Sequence, residues 1–158
     1  MLAQLESCSH EDIEQLLVAA WFHDTGYVAG SSGHEQESIK IFTAFIKEFN
    51  RSESFTRKVT ELIGATKMPT APSDLMEGIM CDADMSHLGS ADYEVCQELL
   101  RRELELSEEI VMSDRDWVLK NIAFFRQHRY YTDHARLLWG EQKRLNLLHL
   151  QGLVADER

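Results

Sequence analysis

An all-α fold is what this sequence predicts, and three observations predict it. Apolar residues recur at the i, i+3, i+4, i+7 spacing of a helix face in segment after segment, and no run alternates with the period of two that a half-buried strand needs. Ser or Asp residues stand before most of these segments, where a side-chain oxygen can take the free N–H groups of a first helical turn. Only two prolines, Pro69 and Pro72, interrupt 158 residues of which 44% are hydrophobic, so helices can run on and a core of ordinary size can form. Length alone gives the expectation of a single domain over residues 1–158.

Residues 1–8 read as the tail of a helix. Ser9 then N-caps a helix through His23, with Glu11 and Asp12 in the first turn, where negative charge suits the dipole, and with Ile13, Leu16, Leu17, Ala20 and Trp21 on its apolar face. Residues 24–33 hold Gly26, Gly30 and Gly33 with Ser31 and Ser32, a loop that would suit the mouth of a site. The spacing of Ile41, Phe42, Phe45, Ile46 and Phe49 predicts a helix over 34–49 with that stripe inward. Ser52 or Ser54 caps a third helix to about Ala65, with Phe55, Val59, Leu62 and Ile63 inward, until the stretch 66–72 with its two prolines breaks the pattern.

Ser73 or Asp74 starts a short helix that leads through Leu75, Met76, Ile79 and Met80 to Asp82 and Asp84. Ser90 caps the next, to about Leu106, with Tyr93, Val95, Cys96, Leu99 and Leu100; Ser113 or Asp114 opens another that carries Trp117, Val118, Ile122, Phe124 and Phe125. His128 to Thr132 interrupts it. A last helix runs from Thr132 to about Leu150 with Leu137, Leu138, Leu145 and Leu148 as its stripe, and Trp139 and Leu147 mark a surface region suited to a homodimer contact.

Two features carry chemistry. His23 and Asp24 fall in the last turn of their helix, beside unpaired carbonyls, which is an unfavourable setting for a carboxylate unless a cation is near. Imidazole nitrogen with carboxylate oxygen suits a divalent transition metal; a packed histidine with a hydrogen-bonded aspartate that caps the next turn is the plainer alternative. The second feature is Asp82-Ala83-Asp84, enclosed by apolar residues, where a buried carboxylate needs a partner: a metal, or the N–H groups of a following helix.

The stretches Ala19-Ala20-Trp21-Phe22-His23-Asp24-Thr25-Gly26-Tyr27, Gly33-His34-Glu35 with Ser38, Ala65-Thr66-Lys67 with Pro69, Cys81-Asp82-Ala83-Asp84 with Leu88-Gly89, and His128-Arg129-Tyr130 with Thr132 occur in this order between residues 19 and 132. In that combination the chain resembles the HD-domain superfamily of metal-dependent phosphohydrolases, which are helical bundles. The resemblance implies an HD-domain bundle holding one divalent metal ion (Mn, Ni, Fe, Co, Zn or Mg) through His23, Asp24 and Asp84, with Asp82 in a supporting role. It implies a hydrolase in which a metal-activated water attacks a phosphate ester, of a nucleotide or related small phosphorylated molecule, with Asp24 orienting the nucleophile. His34 is a further ligand, an acid near the leaving group, or a donor to the substrate phosphate. Glu35 is a base, a supporting anchor, or a first-turn glutamate on a solvated face. Lys67 and Arg129 are the candidates for the substrate phosphate, ahead of His87 and Arg126. Relatives with two metals carry a histidine where this chain has Thr66, so one metal is expected.

HD hydrolases also carry a first metal histidine on an earlier helix, and the resemblance implies that the family's first helix is missing here. His10 is no substitute: 13 residues before His23 on one helix, it would lie about 20 Å away at roughly 1.5 Å per residue. A catalytically degenerate bundle that binds a nucleotide or a protein without turnover is therefore the alternative. The net charge of −11 argues against a nucleic-acid partner, which needs basic clusters. The three cysteines, Cys8, Cys81 and Cys96, show no C-x-x-C spacing and suggest no disulfide framework. With no leader-like segment and no long apolar run, no membrane is expected and a cytoplasmic location is the default.

Overall fold

A computed structural model describes residues 2–107 and 110–156 of the chain. Among the described residues are eight α-helices and no strand: α1 Leu2–Leu5, α2 His10–Phe22, α3 His34–Ile46, α4 Glu53–Ala65, α5 Leu75–Asp84, α6 Tyr93–Ser107, α7 Asp114–Gln127 and α8 Asp133–Asp156. Short 3-10 turns at Thr25–Ala29, Lys47–Phe49 and Met85–Gly89 follow α2, α3 and α5. The chain divides into two compact units, Met1–Asp84 and Met85–Arg158. None of the described helices is long and apolar enough to cross a membrane.

In the first unit α4 is central, packed against α2, α3 and α5. Ser52 caps it, its hydroxyl accepting from Phe55 N at 3.1 Å, and the expected stripe Phe55, Val59, Leu62 and Ile63 is buried. Each such side chain, fully enclosed, contributes roughly 1.5–3 kcal/mol. Ser9 caps α2 as expected, in a reciprocal pair with Asp12.

The face of α2 is not the expected one. Gln15, Leu16 and Ala19 are buried, whereas Leu17 is 58% and Trp21 81% exposed. Residues 16–22 are apolar all round, so spacing alone leaves the inward face undetermined. The observed choice matters for the site. Leu16, Ala19 and His23 stand at i, i+3 and i+7, so the face that packs also carries the imidazole inward.

In α3 the α-helix ends at Ile46 instead of Phe49, and a 3-10 turn takes over. Its buried row is Glu35, Ser38 and Phe42. Phe45 and Phe49, expected inward, are half exposed and form an aromatic ladder with Phe22, ring centroids 5.2 Å and 4.8 Å apart. At the start of α5 the carboxylate of Asp74 accepts from Glu77 N at 2.9 Å while the carboxylate of Glu77 accepts from Ser73 N at 2.7 Å.

The second unit is built on Leu88, Tyr93, Ile122, Phe125 and Leu150, with Met85, Val118, Phe124, Leu147 and Val154 against them. Ser113 caps α7, accepting from Asp116 N at 3.1 Å. From α6 only Tyr93 is buried, its hydroxyl donating to Asn121 Oδ1 at 2.8 Å; Val95, Leu99 and Leu100 face solvent, against expectation. Helix α8 runs six residues past its expected end, because Val154 still packs on the core and no proline or positive-φ glycine stops it. Leu137, Leu138, Leu145 and Leu148, expected inward on α8, are exposed; Ala135 and Leu150 are buried. Leucine is so frequent on this helix that two faces compete on periodicity, and contact with the 3-10 turn Met85–Gly89 selects one. Trp139 and Leu147, expected on the surface, are each half-buried. Trp139 abuts Gly89, where an added Cβ would stand 2.4 Å from the Trp139 Cβ, and its ring lies 5.6 Å from that of Tyr130; Leu147 packs against the core while partly exposed.

Candidate metal centre

Three elements of the first unit bring their ends together here. His23 is the C-cap of α2, its N–H donating to Ala19 O at 2.8 Å; Asp24 follows it and leads into the 3-10 turn Thr25–Ala29; Asp84 is the last residue of α5. One ligand atom from each of the three lies within 4.8 Å of the others. His23 Nε2 is 3.1 Å from Asp24 Oδ2 and 3.4 Å from Asp84 Oδ1. Donor atoms held tetrahedrally at about 2.0–2.2 Å from one cation would lie roughly 3.3–3.6 Å apart, close to the two His23 separations, which are also those of a histidine paired directly with two carboxylates.

The orientation of His23 is fixed by its other nitrogen. Nδ1 lies 2.9 Å from the carbonyl oxygen of Ala20, and a carbonyl only accepts, so the hydrogen sits on Nδ1 and Nε2 faces the carboxylates. A lone pair aimed at two carboxylate oxygens is unfavourable. Either a proton or a cation must stand between them. Burial pulls the imidazole down, but hydrogen bonds to Asp24 and Asp84 outweigh it and raise it to about 10. The hydrogen bond from His23 in turn holds Asp24 below the ordinary carboxylate range, against the opposing effect of burial.

His34 is arranged in the same way. As the first residue of α3 it turns Nδ1 to the carbonyl of Ser31 at 2.9 Å and Nε2 toward Asp24 Oδ1 at 3.5 Å, with Glu35 Oε1 at 3.8 Å. Tyr27 stacks on its ring, centroids 4.0 Å apart. Glu35 is buried, not on a solvated face. The side chain of Asp24 is 55% exposed and that of His23 18%, so the cluster opens to water through Asp24.

Ser38 holds this arrangement together, and sequence reasoning gave it no role although it stood inside a quoted motif. Its buried hydroxyl donates to the carbonyl of His23 at 2.6 Å and accepts from Gly26 N at 2.8 Å. The hydroxyl therefore ties the end of α2 and the loop after it to α3. Residues 24–33, expected as a flexible loop, are half-ordered as a 3-10 turn by this tie. The sequence signal was available: Ser38 is one helical turn beyond His34 and Glu35, the only small polar residue on the inward row of α3.

The remaining candidates are placed as follows. Asp82 is fully buried in α5. Thr66 is the C-cap of α4, its hydroxyl donating to Ile63 O at 2.8 Å. Lys67, next to it, is exposed. Arg129 and His87 belong to the second unit, Arg129 exposed between α7 and α8 and His87 in the 3-10 turn Met85–Gly89. Arg126 lines a groove of about 530 Å³ in that unit with Leu119, Ile122, Gln151, Val154 and Ala155. Comparison with protein-family models, with curated proteins and with solved structures found no match to this chain. The family resemblance rests on the sequence motifs alone.

Proposed function

We propose that the protein is a metal-dependent phosphohydrolase of the HD type, hydrolysing a phosphate ester of a nucleotide or another small phosphorylated molecule. The observation that supports this reading is the convergence of His23 Nε2, Asp24 Oδ2 and Asp84 Oδ1, with Nδ1 of His23 already engaged. A divalent cation bound there would polarise a phosphoryl oxygen and lower the pKa of a coordinated water.

The chain's own groups would do the rest. Three protein ligands leave positions open for water and substrate. Asp24, exposed and shared between His23 and His34, would orient the attacking water and accept its proton at a carboxylate oxygen. His34, its Nδ1 engaged by the Ser31 carbonyl, would present Nε2, with buried Glu35 beside it, to the leaving group or to a phosphate oxygen. Lys67, which follows α4 in the same unit as the cluster, is assigned to the substrate phosphate in this proposal.

One observation favours a second reading. As an imidazolium, His23 satisfies both carboxylates without any cation, and a bundle that binds a nucleotide or a protein without turnover would carry the same residues. The test is the full chain purified without chelator, analysed for metal and assayed against phosphomonoesters, phosphodiesters and nucleotides with Mn or Ni added. Asp84→Asn is expected to lower both metal content and turnover, the latter at least 100-fold, with helical circular dichroism unchanged. Turnover that survives in Asp84→Asn overturns the proposal. Absence of turnover under every condition, with a melting temperature raised by nucleotide but not by metal, replaces it with the binding reading.

A further inference from the structure

Helix α8 carries leucine on two sides, and the chain itself uses one of them. Leu150 is buried, and Lys143 turns the same way, its Nζ 2.6 Å from the carbonyl oxygen of His128. At 3.6 residues per turn the side opposite Leu150 is made by Leu137, Leu138, Leu145 and Leu148 with Glu141 and Arg144 among them, all within an arc of about 120°. Leu137 is 80% exposed and the other three leucines between 43% and 51%. Surface leucines scattered singly are ordinary, but four on one side of one helix form a stripe that a monomer leaves in water.

The charge of this helix differs from that of the chain. On α8, Asp133, Glu141 and Asp156 are balanced by Arg136, Lys143 and Arg144, whereas the whole sequence has a net charge of −11. Two copies meeting through an average part of their surface repel each other; through α8 they do not. On the stripe the charges are Glu141 and Arg144, paired along the helix, Nη2 donating at 2.7 Å and Nε at 3.0 Å to the two carboxylate oxygens. That pair uses two of the five guanidinium N–H groups and leaves each oxygen able to accept again. The stripe therefore offers a positive and a negative group side by side, a pattern that a copy of itself, turned round, can match.

We propose that this stripe of α8 is the contact of a reversible homodimer, in which two copies pack antiparallel about a two-fold axis at the level of residue 143. A two-fold contact joins a patch to itself, so the patch must be self-complementary. About that axis Leu138 stands opposite Leu148 of the second copy, and Glu141 opposite Leu145, in the alternating layers of a helix pair. Arg144 of one copy then lies on the same edge as Glu141 of the other, about 1.5 Å from it along the helix, and the two ion pairs join in a ring of four alternating charges. Helices that overlap over about 30 Å with a width of roughly 10–12 Å cover about 300–400 Å² per copy, half of a standard interface, which makes the contact weak and reversible. The inference goes beyond the phosphohydrolase reading and uses no residue of the His23 cluster.

Sedimentation equilibrium of the full chain, from micromolar to millimolar concentration, tests this without reference to any activity. The parent is expected to pass from monomer to dimer with a dissociation constant of tens to hundreds of micromolar, and Leu148→Glu to weaken that at least tenfold. Glu141→Arg and Arg144→Glu, both at exposed positions, supply a second test that does not depend on the leucines. Each alone sets like charges against each other across the two-fold axis and should dimerise at least threefold more weakly than the parent. Mixed in equal amounts, the two variants restore opposite charges and should form a heterodimer as tight as the parent dimer. A parent that stays monomeric at millimolar concentration, or that associates equally well as Leu148→Glu, overturns the proposal, leaving the stripe to another occupant or to water. A mixture no tighter than either variant overturns the antiparallel pairing and the proposal with it.

Discussion

Asp24 is shared, with one carboxylate oxygen 3.1 Å from His23 Nε2 and the other 3.5 Å from His34 Nε2. That sharing depends on how tightly the chain turns after it, and Gly26 sets the turn. A Cβ at this position would stand 1.9 Å from the carbonyl oxygen of His34 and 2.7 Å from Ser38 N, both backbone atoms that cannot rotate away. Gly26→Ala is therefore expected to destabilise the protein by about 2–4 kcal/mol and to separate His34 from Asp24. Urea denaturation of parent and variant checks the first point; an unchanged midpoint would show that the turn is not held by this contact. At this scale the sequence was legible where chemistry is written in residue type. The His23-Asp24 doublet and the pair Asp82 and Asp84 stood out as polar groups in apolar company, the family resemblance singled out Asp84, and His23, Asp24 and Asp84 do lie together. What spacing could not show is the pair of carbonyls, Ala20 and Ser31, that orient the two imidazoles, because backbone atoms leave no mark in a sequence.

The same limit, one level up, explains which helix faces were readable. In α4 the stripe Phe55, Val59, Leu62 and Ile63 alternates with charged residues, and it is buried as its periodicity says. In α2 and α8 apolar residues cover more than one face, and packing against neighbours chose Leu16 and Ala19 over Leu17 and Trp21, and Leu150 over Leu137. Capping was readable for α2, α4 and α7, where Ser9, Ser52 and Ser113 each close the first turn they precede, but α6 begins at Tyr93, beyond the Ser90 expected to cap it, whose hydroxyl accepts from Asp92 N. The junction of α7 with α8 was not, because its main tie joins Lys143 to a histidine and a carbonyl 15 residues away. It has a pH signature. Burial, Lys143 and His87 depress His128 to about 4 from 6.5, so the folded protein binds the proton more weakly than the unfolded chain. Its contribution to stability is complete above pH 6.5 and is lost as the pH falls toward 4. After a discount for partial exposure the loss is about 1–2 kcal/mol. Denaturation midpoints of parent and His128→Asn at pH 7.5 and 4.5 check this: the amide oxygen can accept from Lys143 but does not titrate, so the variant should lose less. Equal losses would show that other groups set the acid dependence.

For the whole molecule the fold class was legible and the division into units was not. The boundary after Asp84 falls within Cys81-Asp82-Ala83-Asp84-Met85-Ser86, where α5 passes directly into a 3-10 turn with no proline, glycine or serine-rich linker to mark it. Net charge acts at this scale as well. At −11 the folded chain repels itself, so raising NaCl from about 0.05 to 0.5 M, which shortens the screening length from more than 10 Å to below 5 Å, should raise the melting temperature by itself. A divalent ion at millimolar concentration acts differently if His23, Asp24 and Asp84 bind it. At 100 times its dissociation constant it adds about 2.7 kcal/mol, on the order of 5–10 °C for a chain of this size, well beyond what its ionic strength supplies. The two contributions separate in Asp84→Asn. The salt effect should persist, since one charge in eleven is removed, while the excess from Mn over NaCl at matched ionic strength should vanish. If Mn stabilises parent and variant alike, the ion acts on the acidic surface in general, and the convergence of the three side chains is held by the proton on His23 alone.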